Sequence, residues 1–185
     1  LVGSEMCIRD STHPEMPKDC EEGIIKGMYV LSDNESYDVR LLGSGAILRE
    51  ALKAKDILFK FKIKAQVWSI TSFNLLRKDG MEIERYNQLN PNGNQKLTYV
   101  EECFSDSNVP VIAATDYMRS YAEQIRPYIH SSYTTLGTDG YGRSDSRHTL
   151  RDFFEVDSKS IARAAIYALY KNCLLYTSPS PRDTE

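Results

Sequence analysis

Residues that usually build metal or nucleophilic sites are scarce in this chain. It has four cysteines and three histidines among 185 residues, and no CxxC pair, HExxH, GxSxG or Walker loop occurs. His13, His130 and His148 stand at no spacing to one another, or to a Cys or carboxylate, that is typical of metal ligation. Ser144, Asp145 and His148 could form a catalytic triad only if these close sequence neighbours adopted the required geometry. The members of such triads normally lie on separate structural elements. We therefore expect no self-contained catalytic or metal site.

Excess charge and long apolar runs are also lacking. The formal net charge is −3, and the lysines and arginines form no basic stripe, which argues against a nucleic-acid partner. No apolar run reaches the ~20 residues that a membrane helix needs. Cys20 and Cys103 are far apart in sequence and predict free thiols. With no signal peptide evident, these features indicate a soluble, cytoplasmic protein.

The two ends differ from the rest of the chain in having no periodic pattern. Back-translated, residues 2–10 fit a transposase sequencing adapter, and residues 173–181 fit its reverse complement in another frame. We interpret residues 1–11 and 173–185 as translated adapter scars; natural tails are the alternative. The remainder predicts a linker from an upstream region over residues 12–36 and one domain over residues 37–172.

Turn-forming and charged residues are most concentrated in the segment 136–147. Its three glycines permit positive φ or close backbone approach, and its charges have both signs. This pattern predicts a docking loop; a surface turn with incidental charges is the alternative. The residues assigned to docking here are Asp139, Tyr141, Arg143, Ser144 and Asp145.

A strand at 39–42, the turn Gly43-Ser44-Gly45 and a helix at 46–60 form a β-turn-α unit, with Ser44 as the expected helix cap. Strand, GxG and helix together also suggest a dinucleotide site. However, Leu48 stands where the third glycine would be, and the next strand, 65–70, ends without the acid that binds a ribose. We therefore favour a structural turn over a phosphate site.

Later elements continue the alternation of strands and helices. We predict a short helix capped by Ser72 and ended by Gly80, strands at 109–114 and 133–136, and a last helix capped by Asp157. Asp116 follows a strand, where it either contacts a ligand or partner domain or caps a helix over 117–125, and we favour the cap. The order predicts an α/β fold with an open, mostly parallel, doubly wound sheet and helices on both faces.

Five motifs carry a resemblance to a known family. In chain order they are EEGIIKGMY from Glu21, WSITSFNLLRKDG from Trp68, AATDYM from Ala113, TDGYGRSDSR from Thr138 and FFEVD from Phe153. Together they resemble the C-terminal domain of the homodimeric pyruvate dehydrogenase first component, a thiamine-diphosphate-dependent, transketolase-like family. The match runs from about Met16 to Tyr170, so the resemblance implies a transketolase C-terminal-domain-like fold.

The resemblance implies a parent oxidoreductase that decarboxylates pyruvate on thiamine diphosphate and magnesium and acetylates a lipoyl carrier. That family holds its cofactor between its first two domains, and the GDG…NN signature is absent here. The fragment is therefore expected to be inactive, with no catalytic, cofactor-binding or metal residue of its own. Implied partners are the N-terminal and middle domains, the second subunit of a homodimer and a lipoyl-bearing acetyltransferase component. A free-standing binding module and the C-terminal domain of a transketolase are the alternatives.

Overall fold

A five-stranded sheet in the order β1-β3-β2-β4-β5 organises the computed structural model, which describes residues 13–32, 36–105 and 108–172. Strands β2 to β5 are parallel, and β1 pairs with β3 in the antiparallel direction. After β2 the chain builds β3 on one side and then returns to build β4 on the other, so a topological switch point lies between β2 and β4. The strands are β1 Met28–Ser32, β2 Val39–Ser44, β3 Ala65–Ile70, β4 Val111–Ala114 and β5 Tyr133–Leu136.

Seven α-helices lie in the described part of the chain, together with two 3-10 turns at Gly45–Ile47 and Arg126–Tyr128. Helices α2 and α7 cover one face of the sheet, and α3, α4 and α5 contribute to the apolar cluster on the other. The predicted doubly wound α/β architecture is therefore confirmed. The helices are α1 Glu21–Lys26, α2 Leu48–Lys60, α3 Phe73–Leu89, α4 Tyr99–Cys103, α5 Arg119–Glu123, α6 Arg147–Phe153 and α7 Ser158–Lys171.

The core consists of two apolar layers, one on each side of the sheet. Leu41 and Ile112 pack into the layer beneath α2 and α7, whereas their neighbours Leu42 and Ala113 pack into the opposite layer. Successive residues of a strand point to opposite faces, so central strands covered on both sides carry continuous apolar runs. This explains why β2 and β4 contain no apolar–polar alternation.

The sheet begins inside the segment assigned as a linker, residues 12–36. Its apolar stretch forms strand β1, and helix α1 precedes it. Gly27 joins the two elements at φ 113°, and its carbonyl accepts hydrogen bonds from the amides of Thr71 and Ser72 at 2.9 and 3.1 Å. The segment is thereby tied to the end of β3. The predicted scars at 1–11 and 173–185 lie outside the described residues.

Two predicted helix caps are confirmed. Ser72 Oγ accepts the Leu75 amide at 3.2 Å, and Asp157 Oδ1 accepts the Ser160 amide at 3.0 Å. Ser44 was expected to cap α2, but its side chain makes no capping hydrogen bond, because a 3-10 turn separates it from the helix.

The prediction that Gly80 ends a short helix is wrong. Helix α3 continues through this glycine to Leu89, since Gly80 lies against the ring of Tyr128 rather than in a turn. The glycine therefore serves packing between α3 and the 3-10 turn at Arg126–Tyr128.

Arginine side chains bind the outward carbonyls of the edge strand β5. Arg119 donates from Nε and Nη2 to the Thr135 carbonyl oxygen at 3.0 and 2.9 Å. Arg126 donates from Nη1 to the Tyr133 carbonyl oxygen at 3.1 Å, and its Nη2 pairs with Glu123 Oε1 at 2.8 Å. The main-chain acceptors of this edge are therefore bound by groups of the same domain.

Neither of the expected thiols is paired: Cys20 and Cys103 are free, as predicted. Among the described helices, none combines the length and apolar character required to cross a membrane.

Candidate docking surface at the carboxyl edge of the sheet

Two loops that follow neighbouring parallel strands are joined by hydrogen bonds. The Thr138 amide donates to the Tyr117 carbonyl oxygen at 2.9 Å, and the Thr138 hydroxyl donates to the Asp116 carbonyl oxygen at 2.6 Å. A Cβ added to Gly137 would lie 2.7 Å from the Tyr117 carbonyl oxygen, so the approach requires glycine. Residues 115–118 and 137–146, here called the paired loops, thus form one unit at the carboxyl edge of the sheet.

Asp116 lies at the switch point and does not cap the following helix. That helix begins at Arg119, later than the predicted residue 117, and its N-cap position is Met118. The Asp116 carboxyl oxygen is 3.5 Å from the position of a Cβ added to Gly45. Burial raises the pKa of this carboxyl, while a backbone hydrogen bond and the charge of Arg151 act in the opposite direction. Asp116 therefore lines the crevice between β2 and β4.

Asp139, predicted to contact a partner, is bound within the domain. Its Oδ1 accepts the Arg119 amide at 2.9 Å, across 20 residues of sequence. The first amides of a helix have no partner inside the helix, and a carboxylate there also complements the helix dipole. Asp139 therefore acts as the start signal of α5 that the sequence assigned to Asp116.

The tip of the second loop projects into open space. Tyr141 is 96% exposed. Gly140 has φ 102°, and no atom lies within 4 Å of a Cβ position at either Gly140 or Gly142. The loop thus presents one aromatic ring between two glycines.

The remaining loop residues lead into α6. The Arg143 guanidinium lies 4.0 Å from the centroid of the Phe153 ring, which is a cation–π contact. Asp145 Oδ1 accepts the Ser146 amide at 2.6 Å, and Ser146 Oγ accepts the Thr149 amide at 3.3 Å. Ser144, the remaining member of the predicted set, is exposed.

Sequence reasoning missed Glu50, which fixes the helices behind the paired loops. Its Oε1 pairs with Arg151 Nη1 and Lys53 Nζ, each at 3.0 Å, and its Oε2 accepts the Ser158 amide at 3.2 Å. Glu50 is only 5% exposed. A signal was available, because Glu50 falls at helical spacing within the apolar stripe that includes Ile47 and Ala54.

The described ranges contain no group of three or more His, Cys, Asp or Glu side chains that could hold a metal ion. The arrangement at the carboxyl edge offers an exposed aromatic ring, charged side chains and hydrogen-bonded loops.

A model of the transketolase-like C-terminal domain family matches residues 27–157. The chain belongs to this family. The matched range includes the five strands and both paired loops, and it begins at the Gly27 turn, inside the segment predicted to be a linker.

Relatives of the transketolase-like C-terminal domain include pyruvate dehydrogenase E1 components. The protein of Pseudomonas aeruginosa is 55% identical over 161 residues, covering 84% of this chain and 18% of the relative. That of Cupriavidus necator is 44% identical over 162 residues, covering 85% and 18%. The predicted resemblance is thereby confirmed, and the chain spans about a fifth of the length of these relatives.

Solved transketolases share the fold of this domain at low sequence identity. One from Pichia stipitis superposes with a TM-score of 0.59 and 21% identity, covering 81% of this chain and 19% of the other. One from Leishmania mexicana has a TM-score of 0.58 and 19% identity, covering 88% and 21%. These likenesses establish the transketolase C-terminal-domain-like fold.

Proposed function

We propose that this chain is the C-terminal structural and assembly domain of a pyruvate dehydrogenase first component. The whole enzyme would decarboxylate pyruvate on thiamine diphosphate and pass the acetyl group to a lipoyl carrier. The observation that carries the proposal is the 55% identity to the Pseudomonas aeruginosa protein over 161 residues. The solved transketolases reach only 21% and 19%, which disfavours a transketolase as the parent.

In this proposal the parent uses thiamine diphosphate and magnesium in the cytoplasm, and the chain alone binds neither. A diphosphate cofactor held through magnesium needs oxygen ligands placed around the ion. The sequence lacks the GDG…NN signature that supplies them in the family. Calorimetry on the 185-residue chain with thiamine diphosphate and magnesium is expected to give no heat of binding. Micromolar affinity would contradict this assignment.

The carboxyl edge is proposed to dock onto the remainder of the enzyme, either the N-terminal and middle domains or the second subunit of a homodimer. The predicted contacts remain Asp116, Asp139, Tyr141, Arg143, Ser144 and Asp145. Contacts inside the domain already bind Asp139 and Asp145, which supports a division in which Tyr141, Arg143 and Ser144 face the partner. A lipoyl-bearing acetyltransferase component is the proposed further partner of the assembled enzyme.

A chimera tests the function directly. Residues 13–172 of this chain replace the matching region of the Pseudomonas aeruginosa relative, and a second version of that relative lacks the region altogether. We expect the deletion to abolish assembly and pyruvate turnover, and the chimera to restore turnover to within about tenfold of the intact relative, a difference of about 1.4 kcal/mol in barrier height. A chimera that behaves like the deletion contradicts the proposed function.

A further inference from the structure

The paired loops expose a group of side chains typical of interface centres. Tyr117 is 58% exposed, Met118 57% and Tyr141 96%. Phe153, beneath Arg143, is 52% exposed. Tyrosine, methionine, phenylalanine and arginine are the residues enriched at the buried centres of protein interfaces. Their concentration on one edge of the domain marks a contact surface.

Tyr141 stands out because it is the most exposed and its loop is held at both ends. On one side Thr138 and Asp139 bind residues 116–119. On the other, Arg143 packs on Phe153 and Ser146 caps α6. A tyrosine has only two side-chain torsions, so a ring on a held loop loses little entropy when it binds. The loop therefore holds the ring in an exposed position from which binding to a partner costs little conformational entropy.

We propose that Tyr141 is the anchor of the docking surface, and that its ring enters an apolar pocket in the upstream part of the same polypeptide, with Tyr117 and Met118 packing around the entrance. This inference rests on the proposed function, since it requires the chain to be one domain of a longer enzyme. It narrows the six predicted contacts to one aromatic anchor, Tyr141, with Tyr117 and Met118 as its neighbours.

The upstream part of the polypeptide fits this site better than a second copy of the domain. The family is a C-terminal domain, and the match covers 18% of the relatives' length, so most of each relative precedes the match. Two copies related by a twofold axis must present a surface complementary to itself. The tip at Gly140 and Gly142 is a projection with open space around it, so a second copy would have to offer a recess for it within the same patch.

The charges near the ring favour an apolar pocket. Asp139 and Asp145 accept main-chain amides of their own domain, and Arg143 lies on an aromatic ring. A partner therefore gains little by placing strong charge opposite the tip, whereas burying the ring removes a large apolar area from water.

Trypsin cleavage after Arg143, two residues from the ring, reports whether the tip is covered. It is measured in the chimera described above and in the 185-residue chain alone, for the parent sequence and for Tyr141→Ala, Tyr141→Phe and Tyr167→Ala. Tyr167 is the matched control, since it is 63% exposed on α7. We expect Arg143 to be protected in the chimera, Tyr141→Ala to speed cleavage there by about tenfold or more, and Tyr141→Phe and Tyr167→Ala to remain protected. Tyr141→Ala should leave the rate in the isolated chain unchanged.

Three outcomes would overturn the inference or its basis, and they are distinguishable. Equal protection of the Tyr141→Ala and parent chimeras, with normal pyruvate turnover, rejects the anchor and leaves the proposed function standing. A chimera without turnover contradicts the proposed function itself. Dimerisation of the isolated chain that Tyr141→Ala abolishes, seen by sedimentation, would assign the ring to a second copy and reject the upstream region as its partner.

Discussion

Tyr128 occupies the space that a side chain on Gly80 would need. A Cβ built on Gly80 would lie 2.1 Å from Tyr128 Cζ and 2.7 Å from its hydroxyl oxygen. The backbone of helix α3 at Gly80 therefore packs directly against this ring, and Tyr128 is only 5% exposed. The contact joins α3 to the 3-10 turn that leads into β5.

Gly80→Ala is expected to destabilise the domain by about 1–3 kcal/mol, the usual effect of overpacking. Alanine would by itself favour the helix by ~1 kcal/mol, but a contact near 2 Å forces the ring or the helix to move. Urea unfolding measures the change. Gly93→Ala, whose added Cβ would meet only Asn90 atoms at 3.4 Å, should be nearly neutral. If Gly80→Ala is equally harmful when combined with Tyr128→Ala, the steric explanation is wrong.

Glu50→Gln is expected to destabilise the domain by about 2 kcal/mol, because it weakens charge-assisted hydrogen bonds to Arg151 and to the start of α7. Thermal unfolding and hydrogen exchange of α6 amides measure the effect. Lys53→Gln removes a partner that is 59% exposed and should change stability by well under ~1 kcal/mol. Equal effects of the two variants would show that Glu50 does not hold α6.

Acid should remove the contribution of the Asp157 cap. Burial alone would raise the pKa of this carboxyl, but hydrogen bonds from Ser160 and Lys159 outweigh burial and bring the pKa below its usual 3.8. A lowered pKa stabilises the folded state above the unfolded value, and this stability is lost as the pH falls through the folded value. Asn caps helices without titrating. The stability difference between the parent and Asp157→Asn, followed by urea unfolding against pH, should therefore shrink below about pH 4; a constant difference contradicts the argument.

Residues of the second loop should separate into internal and external groups. Asp139→Ala is expected to destabilise the isolated chain by about 1 kcal/mol, the usual effect of losing a helix cap. Arg143→Ala should change the stability of the isolated chain by less than ~1 kcal/mol, yet weaken assembly and lower turnover in the chimera. Urea unfolding and sedimentation measure the two effects. If the Arg143 variant assembles and turns over pyruvate like the parent chimera, this residue does not dock.

Local signals were sufficient for much of the fold. Ser72 and Asp157 cap helices that begin beside them in sequence, and four of the strands could be predicted from short segments between turns. The prediction for Gly80 was wrong because a glycine in a helical pattern often marks the end of the helix. The structural reason for this glycine is its contact with the ring of Tyr128, which lies 48 residues further along the chain. The cap of α5 was misassigned to Asp116 because the actual acceptor, Asp139, reaches it from the following strand's loop. Such information arises only when distant segments meet.

Arg119 and Arg126, which bind carbonyl groups of β5, limit the addition of a further strand at this edge of the sheet. An edge strand with free main-chain acceptors is a template for another strand, and natural sheets must block it. Here the acceptors of Tyr133 and Thr135 are held by Arg126 and Arg119, the second of which also begins the helix joined to the paired loops. Strand addition on this side would have to displace those guanidinium groups. Contacts with other domains or copies are thereby directed away from main-chain pairing along β5 and toward side chains on loops and helices.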